Sequence, residues 1–249
     1  MRLAALYDIH GNLPALEAVL EEIRGAAVDY VVVGGDVVPG PMQGEALACL
    51  RAFHLPIQFI RGNGEREVLA WKRGEENNAL PERFREVMRW SAQQLDPKDA
   101  EWLGEWPAAL RLELNGFGKV LFCHATTRND TDIFTRLTPE HHLIPVFAAA
   151  DAALIVCGHS HMQFDRMIGE IRVVNAGSVG MPYGEPGAYW LLLGPDLQLR
   201  RTCYDSAEAA ARISNTSFPQ AKEFAQDQVI RPPTEELMLK ALSKAELRF

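Results

Sequence analysis

RLAALYDIHGNLPALEAVLEEI (residues 2–23) and DYVVVGGD (29–36) decide the fold. The first apolar run, 2–7, stops at Asp8. Asn12 then suits a helix N-cap, and Pro14 suits the first turn. Leu13, Leu16, Val19, Leu20 and Ile23 recur at helical spacing. The second run, 29–33, ends at Gly34-Gly35-Asp36. A helix around 43–53 and a third run, PIQFI (56–60), follow, and that run ends at Arg61-Gly62-Asn63. Strand–helix–strand–helix–strand is the signature of a parallel sheet with crossover helices.

Outward from this unit the pattern changes. Residues 64–106 hold charged, Trp-containing helical segments and no clear strand, so a helical cap insertion is expected over about 64–108. Strand patterns resume at 109–114 and at 118–123, which ends at His124. A helix over about 139–149 precedes the run 153–157, which ends at Gly158-His159-Ser160-His161. Shorter strands are expected at 162–167, 170–175, 187–194 and 197–204, with Gly and Pro between them. The chain thus divides into a main domain, 1–205, and a C-terminal helical extension, 206–249, packed on it.

The chain has 249 residues and a formal charge of −8. That balance disfavours long nucleic acid and anionic membrane as partners, since both need clustered Lys and Arg. No stretch approaches the ~18 apolar residues of a membrane span. Cys49, Cys123, Cys157 and Cys203 form no CxxC pair and read as buried free thiols of a reducing compartment. A cytoplasmic location is expected, and a homo-oligomer is compatible with the sequence.

The chemistry gathers where apolar runs end. Asp8 with His10, then Asp36, Asn63, His124, and His159 with His161 each follow such a run. In open α/β sheets, ligands bind beyond the carboxyl ends of the strands. Imidazole and carboxylate together suit Mn, Fe, Zn, Ni or Co. Two carboxylates, four imidazoles and one amide exceed the needs of one tetrahedral ion. They suit two divalent ions about 3.5–4 Å apart that share one carboxylate.

Singly, each residue has a plainer reading. Asp8 is a turn or cap residue, and Gly35-Asp36 and Gly62-Asn63 are common turns. His124 alone is a satisfied, partly buried histidine. Their joint order at strand ends is what turns do not explain. His54 reads as packing, and His141-His142 as surface residues or as support behind the site. Trp71, Trp90, Trp102 and Trp106 read as the core of the cap. Arg61, Arg66 and Arg128 are candidates to contact a phosphate, against the commoner exposed ion pair.

These residues resemble the calcineurin-like metallophosphoesterase superfamily, whose pattern is D-x-H, G-D, G-N, H and G-H-x-H. Here the pattern falls on Asp8-Ile9-His10, Gly35-Asp36, Gly62-Asn63, His124 and Gly158-His159-Ser160-His161. Asn175-Ala-Gly-Ser-Val-Gly is similar to the N-P-G-S-V-G segment of the compact bacterial branch, the YfcE-like and diadenosine-tetraphosphatase-like phosphoesterases. The resemblance implies an α/β, four-layer αββα sandwich of two mixed sheets flanked by helices. It also implies one metal held by Asp8, His10, Asp36 and His161. The other would be held by Asp36, Asn63, His124 and His159, with Asp36 bridging. Asp36, Asn63 and His124 are then the catalytic candidates, and Asn12, Arg61, Glu65 and Arg128 the substrate-binding ones.

One departure matters. Many members follow the Gly-Asn with a His that assists the leaving group, whereas this chain has Gly64 and then Glu65. Leaving-group help would come from Glu65, another group or solvent. The expected activity is hydrolysis of a small phosphomonoester, phosphodiester or nucleotide by in-line attack of metal-bound hydroxide. The rival readings are a protein phosphatase or nuclease, and a catalytically silent scaffold that keeps the fold.

Overall fold

The computed structural model describes residues 1–77 and 79–247. Residue 78 of the expected cap and residues 248–249 of the expected extension lie outside the described residues. The opening unit is β1 (Leu3–Leu6), α1 (Leu13–Gly25), β2 (Tyr30–Val33), α2 (Gln43–Arg51) and β3 (Ile57–Phe59). The helical segment then forms α3 (Asn63–Lys72), α4 (Glu82–Gln94) and α5 (Pro97–Gly104). Next come β4 (Ala109–Leu114), β5 (Gly118–Cys123), α6 (Glu140–Phe147), β6 (Leu154–Cys157), β7 (Phe164–Ile168) and β8 (Ile171–Asn175). β9 (Ala188–Leu193), β10 (Leu197–Thr202), α7 (Ser206–Ser214), α8 (Ala221–Phe224) and α9 (Glu235–Leu242) complete the order, with a π-helical turn over Ala225–Ile230.

Two five-stranded mixed sheets result, in the orders β10-β9-β1-β2-β3 and β4-β5-β6-β8-β7. β1, β2 and β3 pair in parallel, as crossover helices require. β9 joins β1 antiparallel and completes the first sheet.

Alternation along β1 shows how the layers form. Ala4 and Leu6 face the outer helices with Val31 and Val33. Leu3, Ala5 and Tyr7 face the second sheet, meeting a cluster that includes Val120, Phe122, Leu154 and Val156. The far side of that sheet, through Leu121, Ile155 and Val173, packs under Leu143, Val146 and Phe147 of α6. Helix, sheet, sheet and helix stack in four layers. Both faces of the central strands are buried, so a one-residue slip would swap residues between two packed layers and mismatch their sizes in both.

The segment expected as a cap is continuous with the helical layer. Val68, Leu69 and Trp71 of α3, with Leu103 of α5 and Trp106, join the cluster that covers the first sheet. Phe59 stacks on Trp106 at 4.6 Å. Only α4 reaches past this layer. Its Val87 and Trp90 pack against Ile213, Phe218 and Phe224 of the C-terminal helices.

Two smaller expectations are corrected. Of the four unpaired cysteines, only Cys123 and Cys157 are buried, whereas Cys203 is exposed. His54 is exposed and rests edge-on against Phe53 rather than packing inside. Among the described residues, no helix is long and apolar enough to cross a membrane.

Candidate metal centre

The apolar strands stop where the chain must turn, and the turns carry the donors. Asp8 lies two residues beyond β1 and Asp36 three beyond β2. Asn63 opens α3, His124 directly follows β5, and His159 and His161 follow β6. Parallel pairing of β1 and β2, with Leu6 opposite Val33, brings the first two turns side by side. Main-chain bonds then bind them: Asp8 N–H donates to Gly35 O at 3.1 Å, and His10 N–H to Asp36 O at 2.8 Å.

Backbone conformation singles out the same residues. Asp8, His10, Asp36, His159 and His161 have φ between 47° and 63°. Among the described residues, the only other non-glycine at positive φ is Ala27. Each such turn costs about 1–3 kcal/mol and persists only where its surroundings over-determine it. Here the surroundings do so. Asp8 Oδ2 accepts from His159 N–H at 2.9 Å, and Ser178 Oγ–H donates to Asp8 O at 2.8 Å. Asn175 Nδ2 donates to Gly158 O at 2.6 Å and to Ser160 Oγ at 3.1 Å. Glycine is needed where loops touch: a Cβ on Gly35 would lie 2.5 Å from Gly62 N, and one on Gly158 would lie 2.4 Å from Asp8 Oδ2.

The structure brings Asp8, His10 and His161 into one cluster, and Asp36, His124 and His159 into another. Asp36 stands between them. Its Oδ2 lies 3.8 Å from His10 Nε2, and its Oδ1 lies 3.5 Å from His124 Nε2. Asn63 Oδ1 reaches His124 Nε2 at 3.1 Å. His10 Nε2 and His161 Nε2 are 3.2 Å apart. All seven expected ligands therefore face one small space.

The donors fit a pair of cations. His124 Nδ1 sits 2.9 Å from Gly34 O, and His161 Nδ1 sits 2.8 Å from Met181 O. With those nitrogens donating to carbonyls, each Nε2 faces inward, and its lone pair is open to a cation once its proton leaves. Asp8 Oδ1 is fully buried without a hydrogen-bond partner. A buried anionic oxygen left bare is costly unless a cation meets it.

The charges push on one another. Burial would raise the Asp36 carboxyl, but His124 and His10 hold it well below the usual carboxylate range. Asp8 is likewise lowered, by His161 and His124, against its burial. Burial and then His161 push His10 down to about 4. His124 is equally buried, yet Asp36 and Asp8 outweigh burial and push it up to about 10.

Two expected substrate contacts are corrected. Glu65 is fully buried and cannot meet a substrate. Its carboxylate accepts from the N–H groups of Asp36 (2.8 Å), Val37 (2.7 Å), Val38 (3.1 Å) and Gly62 (2.8 Å). It clamps the two turns that carry Asp36 and Asn63. Asn12 is also fully buried. It caps α1 through Ala15 N–H and donates to Gly180 O at 2.9 Å. Arg61 and Arg128 do line a cavity beside His124, where Arg66 and Arg111 join them.

Sequence reasoning missed three supporting residues. They are Ser178, which grips the Asp8 carbonyl, Asn175, read only as part of a family segment, and Tyr183, whose ring stacks on His161 at 5.6 Å. Only the Asn-Ala-Gly-Ser segment offered a signal for the first two.

Comparison with known proteins agrees with this geometry. Residues 1–194 match the calcineurin-like phosphoesterase superfamily domain. The uncharacterized protein MJ0912 of Methanocaldococcus jannaschii is 26% identical over 239 residues, covering 88% of this chain and 94% of that protein. Two solved structures share the fold. One is the hypothetical protein PH1004 of Pyrococcus horikoshii OT3, with a TM-score of 0.76 at 19% identity, covering 94% of this chain and 99% of that one. The other is a metallophosphoesterase of Sphaerobacter thermophilus, with a TM-score of 0.68 at 24% identity, covering 90% and 97%. By its matched residues and the donor set they converge, the chain belongs to the calcineurin-like phosphoesterase superfamily.

Proposed function

We propose that this protein is a hydrolase of small phosphate esters that works with two divalent cations, manganese among the candidates. The observation that carries this reading is the Asp36 carboxylate, which offers one oxygen to each donor cluster. Asp8, His10 and His161 would hold one ion, and His124, His159 and Asn63 the other, with Asp36 between them. Such a pair acidifies water and neutralises charge on attacking and leaving oxygens.

The chain's own groups do the rest. The strained turns hold the donors in place before any ligand arrives, so little reorganisation is left for the reaction. Where relatives carry a leaving-group histidine, Gly64 N–H donates to Asp36 Oδ1 at 2.7 Å. Glu65 is committed to four backbone donors. No general acid stands at that position, which favours esters whose leaving group departs as a stable anion.

The test is hydrolysis of p-nitrophenyl phosphate and bis-p-nitrophenyl phosphate, with metal content measured in parallel. We expect two ions per chain, loss of turnover after EDTA dialysis, and recovery on adding Mn. Full turnover in the metal-stripped protein would overturn the reading.

A further inference from the structure

We infer that the preferred substrate is an asymmetric phosphodiester, with an anionic arm bound in an arginine pocket and an uncharged or cationic ring-bearing arm in an apolar cleft. This inference rests on the phosphoesterase reading above. Two cavities that differ in the sign of their charge meet at the donor set. One, of about 310 Å³, lies beside His124 and is lined by Arg61, Arg66, Arg111 and Arg128. The other, of about 800 Å³, opens from His10, Asp36 and Asn63. Because His124 and Asn63 touch, the two cavities flank the same few ångströms.

The arginine pocket has charge to spare. Arg66 is held by Asp130 and Glu67, and Arg128 by Asp132. These pairs fix the walls and neutralise part of their charge. The guanidinium groups of Arg61 and Arg111 have no hydrogen bond or ion pair among the described residues. A planar anion such as a carboxylate, or a second phosphate, suits such forks.

The cleft is of another kind. Phe84, Val87 and Met88 of α4 line it together with Met181, Phe218 and Phe224, and Val87 belongs to the same packed cluster as the two phenylalanines Phe218 and Phe224. Phe84 is 43% exposed, with the Arg83 guanidinium 4.7 Å from its ring centre on one side. Among its lining residues, Glu86, Glu223 and Asp227 outnumber Arg83. A flat apolar group would cover the Phe84 ring, and an anion would meet net repulsion. The two ends therefore accept different arms and set the ester's direction across the donors. A monoester would fill only one of them.

The experiment uses the full chain loaded with Mn and two p-nitrophenyl phosphodiesters, one with a methyl second arm and one with a 2-carboxyethyl second arm. We expect kcat/KM to favour the carboxyethyl ester by about tenfold, the scale of a charge-assisted contact. In an Arg61→Ala/Arg111→Ala double variant that ratio falls to near one. In Phe84→Ser, KM rises for both esters while the ratio stays. A ratio near one in the parent, or one that survives the double variant, overturns the inference. Calorimetric binding of the corresponding phenyl esters is measured on the same samples. If no ester is hydrolysed, the enzymatic reading fails by itself, and the binding ratio still decides the two-armed site.

Discussion

The two donor clusters have the same composition, one carboxylate and two imidazoles, but they are held differently. Asp8 and His10 come from one turn and meet His161 from the far sheet. Asp36, His124 and His159 come from three separate loops. His10 is pushed down to about 4, whereas His124 is pushed up to about 10. Both are buried, so burial alone does not explain the split. The carboxylates do: His124 Nε2 lies 3.5 Å from Asp36, and His10 Nε2 lies 3.8 Å from it with His161 as an opposing neighbour. Each cluster thus joins one lowered imidazole to one raised one, His10 to His161 in the first and His159 to His124 in the second. In each the raised imidazole faces a carboxylate, His161 at 3.3 Å from Asp8 and His124 at 3.5 Å from Asp36, and a cation must displace its proton.

The largest effect should come from the residue the clusters share. Asp36→Ala should lower turnover by at least about a hundredfold, the scale of losing one transition-state stabilising group. Elemental analysis should show one ion per chain, while His161→Ala should also keep one, at the other cluster. Two tightly bound ions in Asp36→Ala would break the comparison, because the clusters would then be independent.

Next is the clamp that only the second cluster has. Glu65→Gln replaces an acceptor oxygen with an NH2 group facing backbone donors. It should weaken the second ion by about 10–100-fold. It should also destabilise the fold by about 1–3 kcal/mol, since buried N–H groups lose their partner. Thermal denaturation and metal titration read both. An unchanged second-site affinity would reduce Glu65 to a packing residue.

The pH dependence should be smaller and should appear at both clusters, through His124 in one and His161 in the other. A raised pKa means that His124 holds its proton up to about 10 in the metal-free protein. A metal needs the neutral imidazole, so second-site affinity should climb by about tenfold per pH unit between pH 6 and 8, with one proton released. His161, raised by Asp8, should add a slope of the same sign at the first site, whereas His10, already neutral above about 4, adds none. Titration calorimetry in two buffers of different ionisation enthalpy measures the proton count. An affinity that does not change at either site between pH 6 and 8 would contradict the raised imidazoles.

These contrasts also mark how far the sequence was legible. The strands could be read because each is a short apolar run cut off by a polar turn, and a run such as ALIVC at 153–157 has no helical length. The donors could be read because strand ends are where an α/β fold places ligands. Glu65 was misread because three of its four backbone partners, Asp36, Val37 and Val38, lie nearly thirty positions away, and only the Gly62 contact is local. No side-chain pattern announces such a bond. Asn12 misled in the same way, since its N-cap role was visible but its burial against Gly180 was not. The cleft was invisible because it forms only when α4 meets helices more than a hundred residues later.

The most direct test is an anomalous-difference map from crystals of the full chain grown with Mn. The account predicts two peaks about 3.5–4 Å apart. One should lie among Asp8, His10 and His161, the other among His124, His159 and Asn63, with Asp36 touching both. A single peak, or a second one away from Asp36, would contradict it.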